Sequence, residues 1–247
     1  PLFAHARPFR FVGQSFKTLF IAFVAIDLGF ILLNILAIGA HHFSLIDAVP
    51  DSLRITQDGA LPEEFNYLKW AFIVVSLAWL ALRDHWLAPF GWALVFAMIL
   101  ADDSMQLHER FGAAISSSSW VPSSDIFHSS NVGEVIAFGV MGLIALGIGG
   151  ALFRRSRAPG RALSLRYAVV LVVLGGFGVG VDAAHQLVSN VTEGTAYATI
   201  LSQLFGMIEE GGEMIVASFA VALTLTTGHL RDRPALSLSD EARVHSS

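Results

Sequence analysis

Six long apolar runs separated by short polar breaks occupy most of the chain, near residues 18–40, 66–83, 87–106, 132–153, 167–189 and 198–228. Each is close to the ~20 residues a helix needs to cross a bilayer core. The pattern predicts an all-α, polytopic membrane protein with six transmembrane helices. It forms a single domain over residues 1–230, followed by a flexible polar tail over 231–247. The breaks are marked by residues that interrupt helices. Pro50 and Pro62 lie in an acidic loop, Ser116–Ser119 runs into Trp120, Val121 and Pro122, and the basic stretch from Arg154 to Arg166 contains Pro159 and Gly160. Pro89 sits near the start of the third run, and no internal repeat is visible. The sixth run exceeds a span by roughly ten residues, enough for tilt or protrusion.

Composition agrees with this class. The chain is 54% hydrophobic and 14% charged with mean hydropathy +0.63, whereas a soluble domain carries about a quarter charged residues. With no cysteine, disulfides, thiolate ligands, iron–sulfur clusters and Cys nucleophiles are excluded. No cleavable signal peptide is expected, because the first apolar run is too long and lacks a small-residue cleavage site.

Basic residues set the expected orientation. With the N-terminus inside, the cytoplasmic face holds Arg7, Arg10, Lys17, Arg83, Arg154, Arg155, Arg157, Arg161, Arg166, Arg231, Arg233 and Arg243, and the outer face holds Arg54, Lys69 and Arg110. Twelve against three predicts N-in, C-in in a bacterial inner membrane. The basic residues follow topology and the net charge is −5, so nucleic acid is not an expected partner. Lys17 and Lys69 are the only lysines and read as helix-end residues, leaving no mid-helix amine for a retinal Schiff base.

The chemistry lies in ten polar residues within or beside these runs: Asp102, Asp103, His108, Glu109, Glu134, Asp182, His185, Glu209, Glu210 and Glu213. An ionised group at bilayer depth costs roughly 2.5–3.5 kcal/mol on insertion scales, so shared protons, water or a metal must offset them. Their depths agree. Asp102 follows Trp86 by 16 residues, roughly 24 Å at 1.5 Å per residue. Glu134, Asp182, His185 and the three glutamates of the last run also fall in the outer half. The third to sixth helices are thus expected to form a bundle around a polar site.

Helical spacing groups these residues further. Positions three, four and seven apart share a face, so Asp102, Met105, Gln106 and Glu109 form one stripe while Asp103 and His108 point elsewhere. Asp182 and His185 share a face, and Glu209, Glu210 and Glu213 can bound one cavity. Glycines beside them, at Gly211–Gly212 and at Gly175, Gly176, Gly178 and Gly180, would let a helix or substrate approach closely. The ligand pattern resembles that of di-iron and di-manganese carboxylate bundles, where two helices give a Glu and two give Glu-x-x-His. Asp182-Ala-Ala-His185 matches one such motif with Asp for Glu, and Glu134 matches a lone carboxylate. Glu210-Gly-Gly-Glu213 has Glu where His would stand, and no carboxylate lies three before His108.

The expected site is a carboxylate/histidine metal centre in the outer half of the membrane. Its candidate ligands are Asp102, Glu109, Glu134, Asp182, His185, Glu210 and Glu213. Asp103, His108 and Glu209 are alternates or groups that orient the ligands. Iron or manganese is favoured, in a dinuclear site, with zinc next. Oxidation of a lipid-soluble substrate is preferred to hydrolysis, with loop 110–131 as a cover. The membrane lipid is a partner, and a larger membrane complex is a further one. A proton- or cation-coupled transporter, or an accessory subunit binding pigment, quinone or haem, are the competing readings. The plainer roles are Asp102 or Asp103 as a helix cap or water ligand, His108, Glu109 and Glu134 as wet interface residues, His185 as a core histidine, and a structural role for Glu209, Glu210 and Glu213. Asp27 is expected to pair with a hydroxyl or an amide such as Asn34. His41 and His42 read as solvent residues, and Trp70, Trp86 and Trp92 as interface anchors or lipid-facing packing.

Overall fold

The computed structural model describes residues 15–116, 129–195 and 197–231. Every regular element among them is helical. α1 (Phe16–His42) starts where Ser15 Oγ accepts the Thr18 N–H, satisfying one of the free amides at a helix start. It buries only a stripe of Leu19, Asp27, Asn34 and Ala37. Ile21, Leu28, Leu32 and Leu36 face outward, as suits a helix lying against lipid. A loop with one 3-10 turn (Asp51–Leu53) leads to α2 (Leu61–Asp84).

α2 begins five residues earlier than the hydropathy pattern predicts. Pro62 falls in its first turn, with Glu63 and Glu64 beside it. A first-turn proline needs no amide partner, and acidic groups there oppose the helix dipole. His85 in the left-handed conformation (φ 48°) closes α2, and α3 (Leu87–Met105) packs back against it. Gln106 (φ 51°) then breaks the chain before α4 (Leu107–Ser116). α5 (Ser129–Arg155) packs on α4, and Gly133 meets the backbone of Gly112 so closely that no β-carbon fits between them.

The basic stretch 154–166 is not a loop. α5 continues to Arg155, and α6 (Ala158–Gly175) starts with Pro159 in its first turn. α6 passes through a π-helical segment (Gly176–Val181) into α7 (Asp182–Thr192), giving one helical span over residues 158–192. α8 (Ala198–Arg231) is the longest helix. Residues 117–128, which include most of the Ser-rich break and much of the expected cover, and the tail beyond 231 lie outside the described residues.

Among the described residues five helices are long and apolar enough to cross a membrane: 16–42, 61–84, 87–105, 132–155 and 158–192. α8, with three glutamates in five residues, is not one of them. The chain is therefore an all-helical protein of the multi-pass membrane class. Its core gathers Trp70, Trp92, Phe96 and Tyr167 against Ala217, Ala220 and Val221 of α8. Trp70 and Trp92 are each 1% exposed, so neither is an interface anchor. Trp92 donates to Ser164 Oγ at 3.1 Å, and Tyr167 pairs with Thr224 at 2.8 Å, as buried polar tips of large rings require.

Candidate functional site

Above that core, α2, α3, α5, the α6–α7 span and α8 part around a cavity of about 420 Å³. Asp58, Glu63, Asp102, Asp103, Glu109, Glu134, Asp182, Glu209, Glu210 and Glu213 all line it, with His108 and Asn66. No lysine or arginine does among the described residues. Its floor is apolar: Val95, Met98, Ile99, Met141, Leu171 and Leu174. Nine of the ten residues singled out in the sequence line this one space. The tenth, His185, sits at its edge.

His185, Asp182 and Glu209 form the tightest group. One ligand atom from each lies within 4.8 Å of the others, and all three side chains are half-buried. The π-helical segment ahead of Asp182 is the local cause. A turn with an extra residue re-aims everything after it and occurs often at functional sites. His185 Nε2 meets Ser202 Oγ at 2.9 Å and its ring stacks on Phe205. Both partners belong to α8, so the ring is oriented by the helix that supplies Glu209. Gln186 donates to Asp182 Oδ2 at 2.7 Å and fixes that carboxylate.

A second group forms at the α3–α4 break. A continuous helix would have put His108 off the Asp102 stripe. Because Gln106 turns the chain, Asp102 instead accepts the His108 backbone N–H at 2.8 Å and meets its ring Nδ1 at 3.1 Å. Asp102 thus caps α4 and holds His108, whose ring stacks on Phe138. Burial works against charge on the imidazole. The hydrogen bond and negative charge of Asp102, helped by Glu109 and Glu134, outweigh it and raise the pKa above the ordinary histidine value.

A third group was missed by the sequence reading. The Tyr67 hydroxyl lies between the Glu63 carboxylate and the Asp103 carbonyl, and Glu63 also accepts the Gly59 N–H. Asn66 is 6% exposed, and its Oδ1 has no hydrogen-bond partner among the described residues. The Pro62-Glu63-Glu64 helix start was the available signal, since it would have carried α2 outward past Asn66 and Glu63. Glu210 and Glu213 complete this side of the cavity from α8, outside the close-set group at His185.

The glycines serve the expected close approaches in part. Glu213 rests against Gly178, Gly212 faces Phe177, and Gly211 meets Ile31. Gly175, Gly176 and Gly180 have nothing within 4 Å of a built β-carbon.

Lys69 is misplaced by the sequence reading. It is 2% exposed inside α2, and its ammonium donates to Asp27 Oδ1 at 2.9 Å, the Met214 carbonyl at 2.9 Å and Ser218 Oγ at 3.3 Å. Asp27 thus has a lysine and a hydroxyl as partners, while Asn34 accepts the Ile55 N–H instead. Lys69 is a buried cation one residue from the Glu213 backbone, not an outer-surface charge. The expected helix-end position, on which the argument against a Schiff base rested, is therefore not what the structure shows for Lys69.

Fold and cavity together define an all-helical protein of the multi-pass membrane class, built around an acidic cavity with an apolar floor. Residues 59–227 match the family described as Domain of unknown function (DUF8692), and the chain belongs to that family. The match takes in α2 to α7, most of α8, and every cavity carboxylate except Asp58. No curated protein and no solved structure matches the chain.

Proposed function

We propose that the chain is a six-span, N-in/C-in inner-membrane enzyme that holds a divalent metal at Asp182, His185 and Glu209 and acts on a lipid-soluble substrate in the adjoining cavity. The observation carrying this reading is the convergence of those three ligand atoms within 4.8 Å at the edge of a space of about 420 Å³. Two carboxylates and one imidazole suit iron or manganese, then zinc. Like charges this close favour a bound cation. Such an ion supplies Lewis acidity or redox chemistry when bound, and oxidation is preferred over hydrolysis. Glu134, which lines the same cavity as Asp182, is a further candidate ligand. α8 is counted as the sixth span, and with Lys69 buried only Arg54 and Arg110 remain on the outer side.

Transport fits less well. Below the apolar floor, Trp92, Phe96 and Tyr167 pack against α8, and the polar tips of Trp92 and Tyr167 bond to Ser164 and Thr224. Inward of Glu213 the buried polar groups described are the Lys69–Asp27 pair with Ser218 and then only neutral side chains, Ser164, Thr224 and Thr227. Two histidines in separate groups among so many acids, each ring already hydrogen-bonded to Asp102 or Ser202, also make a poor haem site.

Elemental analysis of the full chain, purified without added metal, tests the proposal. About one or more equivalents of iron, manganese or zinc per chain is expected, falling to background in His185→Ala. A metal-free wild type, or a His185→Ala protein that keeps its metal, overturns it.

A further inference from the structure

α8 holds His185 from one stripe. Ser202, Phe205 and Glu209 are three and four positions apart, so they share a helix face. Ser202 Oγ lies 2.9 Å from His185 Nε2. Phe205 stacks on the imidazole, with ring centroids 5.8 Å apart and planes 10° from parallel. Glu209 supplies its oxygen to the group within 4.8 Å that includes Asp182 and His185. Stacking sets the plane of the imidazole, and the hydroxyl sets its direction within that plane.

A neutral imidazole carries a proton on one nitrogen and a lone pair on the other. A metal takes the lone pair, and the hydrogen bond made by the other nitrogen decides which one that is. At His185 the hydroxyl takes Nε2, so Nδ1 is left for an ion. Asp182 is prepared in the same way: Gln186 takes its Oδ2 at 2.7 Å, which leaves Oδ1. His108 is set the opposite way round, because Asp102 takes its Nδ1 at 3.1 Å, and an ion there would meet Nε2.

We infer that Ser202 is the positioning residue of the metal site. Its oxygen accepts the Nε2 proton of His185, fixes the tautomer and orients Nδ1 toward the ion shared with Asp182 and Glu209. This rests on the metal reading above, and adds which nitrogen ligates and which residue outside the ligand set decides it. A hydroxyl in this role can be removed without touching a ligand. A residue that only pins α7 to α8 would change stability. One that selects the tautomer changes the ligating atom and the affinity for the metal.

The test uses the full chain in detergent with isotope-labelled histidine, and the closed-shell zinc ion as the probe. Long-range proton–nitrogen NMR spectra give the state of each ring nitrogen, and His185→Gln identifies the His185 signals among the nine histidines. Zinc is expected to shift Nδ1 of His185 while Nε2 keeps its proton. Ser202→Ala is expected to weaken zinc binding about 10–100-fold, as loss of a hydrogen bond behind a ligand does. It should also release the tautomer preference in metal-free protein. Ser202→Thr, which keeps the hydroxyl, should restore both. Zinc on Nε2 of His185, or wild-type affinity in Ser202→Ala, overturns the inference and leaves the metal site standing. Zinc that leaves the His185 signals unmoved, whether free or held on Nε2 of His108, removes the metal site and this inference with it. If Ser202→Ala does not fold, the wild-type spectrum alone decides.

Discussion

Glu213 Oε1 lies where a β-carbon on Gly178 would stand. A side chain at residue 178 would therefore have to push the carboxylate of Glu213 aside. The contact ties the backbone that re-aims Asp182 and His185 to a carboxylate on the opposite wall of the cavity.

Gly178→Ala is predicted to lower the thermal midpoint, with the loss arising from displacement of Glu213. In a Glu213→Ala background the same substitution should cost much less, because the clashing atoms are gone. A double-mutant cycle in detergent measures this coupling. Equal cost in both backgrounds would show that Gly178 matters for another reason.

Lys69 and Asp27 should behave as a buried pair. Lys69→Met strands the Asp27 carboxylate, 0% exposed, and is predicted to cost about 3–5 kcal/mol. Adding Asp27→Leu should recover most of that loss, since two apolar groups of similar size need no partner. The comparison is read from chemical or thermal unfolding of the two variants. A double variant no more stable than Lys69→Met would contradict the role of the pair.

The α3–α4 corner is predicted to loosen as pH rises. His108 faces Asp102 from α3, Glu109 on α4 and Glu134 from α5, and together they raise its pKa over the opposing effect of burial. A raised histidine contributes its full stability below the unfolded value of about 6.5. That contribution is lost as pH climbs through the higher folded value. Hydrogen exchange over residues 107–116 should therefore speed up above neutral pH beyond its intrinsic base catalysis. His108→Gln should abolish the excess, and an unchanged pH profile in that variant would refute the assignment.

How much of this was legible in the sequence depended on whether the signal was local. Helix length and apolarity located five of the six expected spans, and a fixed rise per residue put ten acids and histidines at one level, nine of which line the cavity, because both quantities are set by the chain itself. The same fixed periodicity misled at Gln106. One residue in the left-handed conformation turned His108 back onto Asp102, where a continuous helix would have kept them apart. Glu63 and Asn66 were missed because Pro62 read as a loop residue although it equally opens a helix. The Lys69–Asp27 pair joins α1 to α2 across 42 positions, and no pattern within one helix encodes such a partner. Trp70 and Trp92 could be assigned to lipid or core only once the neighbouring helices were in place.

X-ray absorption at the edge of the metal that co-purifies with the full chain tests the central claim most directly. The account predicts oxygen and nitrogen neighbours with the multiple scattering of a single imidazole, lost in His185→Gln. A metal surrounded by water oxygens alone, or an imidazole signal that survives that substitution, would contradict it.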